Sequence, residues 1–580
     1  MGVGVMSLRP EEWPEVPEAT ARVARAVAGR GAPPLTMRVR DELGELFADA
    51  EFVEAFGRRG RRGWSPGRLA MVTVLQMAEN LSDRAAVQRV RFDLSWKYCL
   101  ELEDVGFDAS VLSEFRTRVA GHGLEERVLD LLVAALKEKG LVKAGGKQRT
   151  DSTHVLAAVR ELNRLELAGE TVRAALEALS AAAPTWVAQV LEVGEWNRRY
   201  GRRIDAYWRP PGSQTQRDRL AVDYGRDAVA LLRAVYHPAS PVWLRELPAI
   251  QTLRQITVQN YLITTDSNGA EVVKRREADK DGLPPGRIRL TSPYDLDARY
   301  GTKEDLHWTG YKLHISEVCR PPRPDDGAPR PGRRARPALP NVITHVATTD
   351  ATVPDVKLVE PIHQALAGRD LLPAEHYLDS GYASAELIVG ARATFGITLV
   401  TPLLTGTSRQ YRENAGYQRE AFAIDWDARQ ATCPQGATSR FWSPAKQKGR
   451  DVVVVRFDQA DCGPCPVRAA CTNATRWGRQ LTLRPRALHE IIHANHTAQQ
   501  DQAWQAKYAL RAGVEGTIRQ AISVTGSRRA RYRGLAKTHL EHVYSAVALN
   551  LIRLDAWWND QPLDHTRTSH LARLDLTLAV

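Results

Sequence analysis

The sequence predicts an α/β fold: a mixed sheet flanked by helices, preceded by a helical region and interrupted by two inserts. Three observations predict it. Asp151 and Asp379 each sit in or at the end of a short β-like segment, residues 147–155 and 376–379. Glu515 sits far downstream in a stretch with helical character. Between them the periodicity runs strand, strand, strand, helix, strand, helix, strand and then late helices.

The elements divide the chain into seven parts. Residues 1–140 read as helical, because 69–78 and 124–136 repeat apolar residues at helical spacing. Ahead of the first stretch stand Arg58, Arg59, Arg61 and Arg62, followed by Ser65, a good N-cap, and Pro66, a good first helical residue. A basic cluster leading into a capped helix suits DNA phosphates as a positioning element. It equally suits a solvated loop on a helical dimerisation domain. The first core strand lies in 141–155, after a turn at Gly145. Residues 156–287 form a helical insert, exemplified by the Ala- and Leu-rich run 172–179.

The core resumes over 288–402, with strands at 308–316 and 342–348. Between them 320–337 is too rich in Pro and Gly for regular structure. A helix beginning near Pro354, the strand ending at Asp379, a further helix and a strand at 397–401 complete this part. Residues 403–499 form a β-rich insert with strands at 451–457 and 479–484. Residues 500–556 hold core helices, including the periodic run 543–552, and 557–580 form a tail.

The three acids suit oxygen-liganded magnesium or manganese, because hard divalent cations bind carboxylates and leave positions open for phosphate. At about 100° per residue, and counting from Tyr508, Arg511 falls near roughly 300°, Glu515 near roughly 340° and Arg519 near roughly 20°. One helical face thus carries a metal-binding carboxylate flanked by guanidiniums able to grip phosphate. Taken alone, those residues also describe a surface helix with charge pairs.

These residues carry a resemblance to the DDE transposases of bacterial insertion sequences, whose catalytic core has the RNase H-like fold. The family motif around its glutamate runs Tyr, two residues, Arg, three residues, Glu, six residues, Lys. Tyr508, Arg511 and Glu515 match it, and the Asp-Ser-Thr and Asp-Ser-Gly-Tyr contexts of Asp151 and Asp379 are similar to the family's first and second acids. The Lys position is Ile522, where Arg519 or Lys537 would have to supply the cation. Residues 61–66 and 113–118 are similar to the family's helical N-terminal domain. The resemblance implies a DNA transposase that cuts transposon ends and joins them to target DNA. Two Mg²⁺ or Mn²⁺ ions would be held by Asp151, Asp379 and Glu515, with a homodimer on double-stranded DNA. An RNase H-like endonuclease without strand transfer, and a non-catalytic DNA-binding regulator derived from a transposase, are the alternatives. Glu541 is a rival third acid in a less similar context.

Composition agrees with a polyanionic partner. The 580 residues suit several domains, and the net charge is +12 (80 basic minus 68 acidic) with a pI near 9.4. No stretch has the length of a membrane span, and no signal-peptide core begins the chain, so the expected location is cytoplasmic, with the nucleoid. From 516 to 540 there is no acidic residue and there are six basic ones, Arg519, Arg528, Arg529, Arg531, Arg533 and Lys537. Sequence-independent phosphate gripping is their natural use.

Four of the six cysteines fall in the second insert: Cys433, Cys462, Cys465 and Cys471. A Cys-x-x-Cys pair with two further cysteines suits a closed structural zinc site, with reduced packed thiols as the alternative. Cys99 and Cys319, without such company, read as simple core or near-surface residues. Trp442 and Trp477 are candidates for stabilising a displaced base, a role the resemblance suggests for a Trp in this insert, although core packing is the commoner fate of a Trp.

Overall fold

A computed structural model describes residues 6–10, 12–29, 31–57, 59–102, 106–204, 212–320, 339–406, 408–414 and 416–560. Arg58, the Pro- and Gly-rich loop beyond Arg320 and the tail beyond Asp560 lie outside the described residues. The centre is a mixed six-stranded sheet whose middle strand is β1 (Lys147–Leu156). On one side β1 pairs antiparallel with the long β3 (Leu306–Val318), Asp151 lying opposite Ile315. On the other it pairs parallel with β5 (Glu375–Leu378), Thr150 lying opposite Leu378. Outside these, β4 (Ile343–Asp350) runs antiparallel to β3 and β6 (Thr398–Val400) parallel to β5. A first strand central to the sheet, with the second acid just past the adjoining parallel strand, is the placement that the resemblance to the RNase H-like fold implies. The mixed sheet with flanking helices is compatible with an RNase H-like core.

The helices that flank it follow from local signals. Helix α1 (Val359–Gly368) links β4 to β5, and α2 (Ala385–Phe395) links β5 to β6. Ser384 caps α2 by accepting from the Leu387 amide, and Gly396 ends it at φ 70°, a conformation costly for other residues. The late helices are α3 (Gln502–Tyr508), α4 (Gly513–Gln520) and α5 (Leu535–Trp558). From Thr538 to Leu551 nearly every residue of α5 is buried, because it lies between the sheet and the N-terminal helices. Among those helices is Pro66–Ala78, where Ser65 caps by accepting from the Arg68 amide as expected. These helices share one hydrophobic core with the sheet.

Three local expectations are corrected. First, β3 is preceded by an unforeseen partner, β2 (Arg299–Lys303), joined to it by a tight turn with Glu304 at φ 53°. Second, the 156–287 insert is not helical throughout: after helices from Arg164–Ala182 to Pro248–Asn260 it ends in a hairpin, Tyr261–Thr265 with Glu271–Arg275. The β-branched Ile263, Thr264, Thr265, Val272 and Val273 favour strands. Between them Asp266 accepts from the Asn268 and Ala270 amides, with Gly269 at φ 78°. Third, the face argued for Tyr508 to Arg519 is not one continuous α-helix, because a 3-10 turn, Ala509–Ala512, separates α3 from α4.

The second insert carries a hairpin, Ala423–Asp425 with Gln430–Thr432, and an antiparallel sheet of Phe441–Gln447, Arg450–Arg456 and Gln480–Leu483. Its core is small, with Phe422, Ala431, Val455, Phe457, Leu481 and Leu483 fully packed.

Candidate active site

The site is built from β1 upward. Side chains alternate along a strand, so Arg149 and Asp151 share the face against which α4 packs. Arg149 Nη1 donates to the Leu510 carbonyl at 2.8 Å, in the 3-10 turn, while its Nε donates to Glu317 Oε1 at 2.7 Å. Gly513 permits this: a Cβ there would run into the guanidinium. Glu317, fully buried, also accepts from Thr517 Oγ1 at 2.6 Å and Arg553 Nη1 at 2.9 Å. One buried carboxylate therefore fixes β1, β3, α4 and α5 to one another. Removing one partner of such a pair typically costs about 3–5 kcal/mol. At the end of α3, Lys507 pairs with Glu375 of β5.

With those braces in place, Arg511 reaches back over Asp151. Its Nη1 lies 3.0 Å from Asp151 Oδ2 and its Nη2 2.7 Å from Glu515 Oε1, so one guanidinium bridges two of the three expected acids. The other Asp151 oxygen accepts from the Ser152 amide at 2.7 Å. Burial lifts the Asp151 carboxyl above the ordinary aspartate range; the Asp379 charge adds to the lift, while the Ser152 amide and Arg511 oppose it. Tyr508 stacks on Trp504 with rings 5.1 Å apart and lies 5.9 Å from the Arg511 guanidinium. Burial raises its hydroxyl pKa, and the nearby Asp379, Asp151 and Glu515 charges add to this. The structure thus brings together Asp151, Asp379, Glu515, Tyr508 and Arg511 despite the 3-10 turn. The turn advances the chain about 120° per residue and keeps Arg511 roughly one turn from Tyr508.

The two ends of the cluster differ in exposure. The Asp151 side chain is 15% exposed and that of Glu515 60%. Among the described residues, no group of three or more His, Cys, Asp or Glu is placed to hold a metal ion. The donor set is nonetheless all carboxylate oxygen, the chemistry that suits Mg²⁺ or Mn²⁺. Burial and a neighbouring like charge disfavour ionised Asp151, which a cation would relieve.

Sequence reasoning missed two contributors. Lys303, on the unforeseen β2, is close enough for its charge to lower the Asp151 pKa. Asp355, between β4 and α1, accepts from Ser152 Oγ at 2.8 Å and from Lys312 Nζ at 2.8 Å. Its Asp-Val-Lys context carries no motif; only the register of β1 against β3 could have pointed to it.

The expected DNA-contact residues separate into two groups. Arg528 is occupied internally, its Nη1 donating to Thr153 Oγ1 at 3.1 Å and the His154 carbonyl at 2.7 Å. Arg531 is likewise engaged, with the Leu81 carbonyl at 2.6 Å and with Asn80. Arg519, Arg529 and Arg533 are exposed, Arg533 lying 5.5 Å from the Tyr294 ring, and Lys537 is half-buried. Arg59, Arg61 and Arg62 are exposed as well, the last two pairing as a short strand with Met6–Ser7. Glu541 is fully buried in α5, accepts from the Arg531 amide at 2.7 Å and has its pKa pushed up to about 7 by burial. It packs inside the core, apart from the acid cluster.

In the second insert Cys433, Cys462, Cys465 and Cys471 line one cavity of about 270 Å³. Burial raises the Cys471 pKa, and the other three thiols add to it. Cys462 Sγ accepts from the Arg479 amide at 3.4 Å. Cys99 and Cys319 are buried as expected, burial pushing the Cys99 thiol up to about 12. Trp442 packs edge-on against Trp426 at 5.2 Å, whereas Trp477 is 53% exposed, with the Arg456 and Arg476 guanidiniums 5.7 and 5.3 Å from its ring. Core packing therefore holds for Trp442 and not for Trp477.

No helix among the described residues is long and apolar enough to cross a membrane. Compared with known families, residues 432–555 match the one described as Transposase DDE domain, and residues 32–118 the one described as Transposase domain (DUF772). The first match runs from the cysteine insert through Glu515 into α5; the second covers the N-terminal helices and their basic cluster. No match was found among curated proteins.

Proposed function

We propose, for a chain whose two matched families place it among the DDE transposases of insertion sequences, that it cleaves DNA at transposon ends and joins the freed 3′ ends to target DNA. The observation that carries the reading is the Arg511 bridge between Asp151 and Glu515 at the mouth of the sheet, with Asp379 in electrostatic reach. Asp151, Asp379 and Glu515 would hold two Mg²⁺ or Mn²⁺ ions, which when bound supply activation of the attacking oxygen and stabilisation of the leaving one. In this reading the RNase H-like strands set the acids on rigid elements. Arg511 neutralises them while DNA is absent and offers a bidentate donor to a phosphate when DNA arrives. Arg519, Arg529, Arg533 and Lys537 in the basic run after Glu515, and Arg59, Arg61 and Arg62 ahead of the helix Pro66–Ala78, would contact the DNA backbone. Two protomers, one per transposon end, make the natural assembly. The four thiols of the second insert, soft donors around one cavity, would hold a structural zinc.

The test is to incubate the protein with Mg²⁺ and a DNA bearing the terminal repeats that flank its gene, alongside Asp151→Asn. Cleavage at the repeat ends followed by joined product is expected from the unmodified protein alone. Cleavage without joined product would make it a nuclease. Binding by both proteins with cleavage by neither, under any divalent ion, would make it a regulator.

A further inference from the structure

We propose that Asp355 and Lys312 form a positioning pair that sets the Asp151 carboxylate through Ser152, an inference that rests on the reading of the acids given above. The connection is a continuous chain of polar contacts. Lys312 Nζ donates to Asp355 Oδ1 at 2.8 Å and to the Val353 carbonyl at 2.9 Å. The other oxygen, Asp355 Oδ2, accepts from Ser152 Oγ at 2.8 Å. The amide of the same Ser152 donates to Asp151 Oδ1 at 2.7 Å. Each group is drawn from a different element: Ser152 from β1, Lys312 from β3, and Asp355 from the turn between β4 and α1.

The strand register explains why these residues meet. Ser152 and His154 point to the face opposite Asp151, and Lys312 lies directly across from His154 in the β1–β3 ladder. The pair therefore grips β1 from the side of the sheet away from Arg511. Asp151 is held from both faces, Oδ2 by the Arg511 guanidinium and Oδ1 by an amide whose residue is pinned underneath. Asp355 also borders the second acid: a Cβ built on Gly381 would lie 3.8 Å from both Asp355 Oδ2 and Asp379 Oδ2. The Asp379-Ser-Gly turn thus rests against the same carboxylate that pins Ser152.

Asp355 and Lys312 side chains are each only 18% exposed, so the pair is partly shielded from solvent screening, unlike an exposed ion pair. Lys312 also matches the charge of Asp355, so the added carboxylate does not add a net negative charge beside Asp151 and Asp379. Groups that orient a metal-binding residue without touching the metal typically change metal affinity or activity by about 10–100-fold.

The test compares the unmodified protein with Ser152→Ala, Asp355→Asn, the double variant and Lys312→Arg. Two quantities are read: Mn²⁺ affinity by electron paramagnetic resonance, and single-turnover cleavage of the terminal-repeat DNA at saturating DNA. Ser152→Ala and Asp355→Asn are each expected to weaken Mn²⁺ binding and slow cleavage by about 10–100-fold while leaving DNA affinity unchanged. The double variant should lose no more than either single one, because both cut the same chain. Lys312→Arg, which keeps the charge, should retain most of the function.

Single variants equal to the unmodified protein in both readings would overturn the proposal. So would losses that multiply in the double variant, or that track a fall in Tm or DNA affinity. A protein that cuts and binds Mn²⁺ normally after Asp355→Asn thus defeats this inference and leaves the reading of the acids standing. One that neither cuts nor binds Mn²⁺ before any substitution defeats both.

Discussion

The acid cluster and the cysteine-lined cavity are both gatherings of groups that a cation would draw together, yet they are built in opposite ways. The acids stand on the central strand of the sheet and on helices fixed to it by the buried Arg149–Glu317–Arg553 network, over a core that runs continuously into the N-terminal helices. Arg511 already supplies a counter-charge. The four thiols stand on loops and short turns around six packed apolar residues, with a cavity of about 270 Å³ between them. A scaffold that does not need its ion can leave a metal position open for chemistry; a scaffold too small to hold itself needs a closed site as a staple. On the proposed reading, reaction belongs to one region and support to the other.

The largest effect expected from the contrast is in the acid cluster. Asp151→Asn should bring cleavage to background while leaving Tm unchanged or slightly higher. Burial already penalises the charged form of Asp151, so a neutral isostere removes that penalty while Arg511 keeps Glu515 as a partner. Gel-resolved cleavage and calorimetry on the same preparation check it. A large fall in Tm would mean that the carboxylate is structural, and the contrast would fail on its first half.

The second half is tested by removing the thiols or their ion. Cys462→Ser, or a strong zinc chelator, should release about one zinc per chain and abolish protection of amide hydrogens across 423–483, with strands β1, β3 and β5 still protected. Free energies of structural zinc sites, on the order of 10 kcal/mol, are as large as the whole burial contribution of this core, roughly 7.5–15 kcal/mol from its five large apolar side chains. Unchanged protection after complete chelation would show packed reduced thiols.

How much of this was legible in the sequence follows the same division. Asp151, Asp379 and Glu515 could be set on a strand, just past a strand and on a late helix because those elements are local patterns. The central position of β1 followed from the resemblance to the RNase H-like fold. The 3-10 turn at Ala509–Ala512 could not be read, because it arises where Arg149, hundreds of residues earlier, takes the Leu510 carbonyl. Asp355 and Lys303 were missed for the same reason: each reaches the site through strand pairing, and a one-residue slip of β2 or β3 would turn Lys303 or Lys312 to the other face. The basic run after Glu515 was read as one phosphate-gripping surface. Two of its arginines are instead bound to backbone carbonyls of the fold, a distinction that composition does not carry.

A smaller effect belongs to Glu541, buried in α5, and sharpens the contrast within the core itself. Glu541 has its pKa raised by burial from the ordinary 4.5 to about 7. A raised folded pKa contributes stability that is full below about 4.5 and is lost as pH climbs through 7. Stability should therefore fall by roughly 3 kcal/mol between about pH 4.5 and 7.5 from this group. In Glu541→Gln that decline should be absent. Chemical-denaturation midpoints at matched pH values check the difference, and an identical decline in both proteins would remove Glu541 as its source.

The smallest effect decides which region grips DNA. Each phosphate contact contributes about 0.9 to the slope of log affinity against log salt, so losing one changes affinity only a few-fold between 50 and 200 mM salt. Arg519, one helical turn past Glu515, and Arg529, opposite Leu156 at the end of β1, are exposed, whereas Arg528, next in sequence to Arg529, is tied to Thr153 and His154. Arg519→Ala and Arg529→Ala should each lower the slope by about 0.9 with Tm unchanged. Arg528→Ala should leave the slope alone and cost about 1.5–3 kcal/mol of stability, the worth of hydrogen bonds from a charged donor. In the insert, Arg476 lies against the exposed Trp477 ring and offers the competing contact. If Arg476→Ala lowers the slope and Arg519→Ala and Arg529→Ala do not, the phosphate grip belongs to the insert. The cysteine region would then hold DNA rather than only itself, and the division between reaction and support would have to be redrawn.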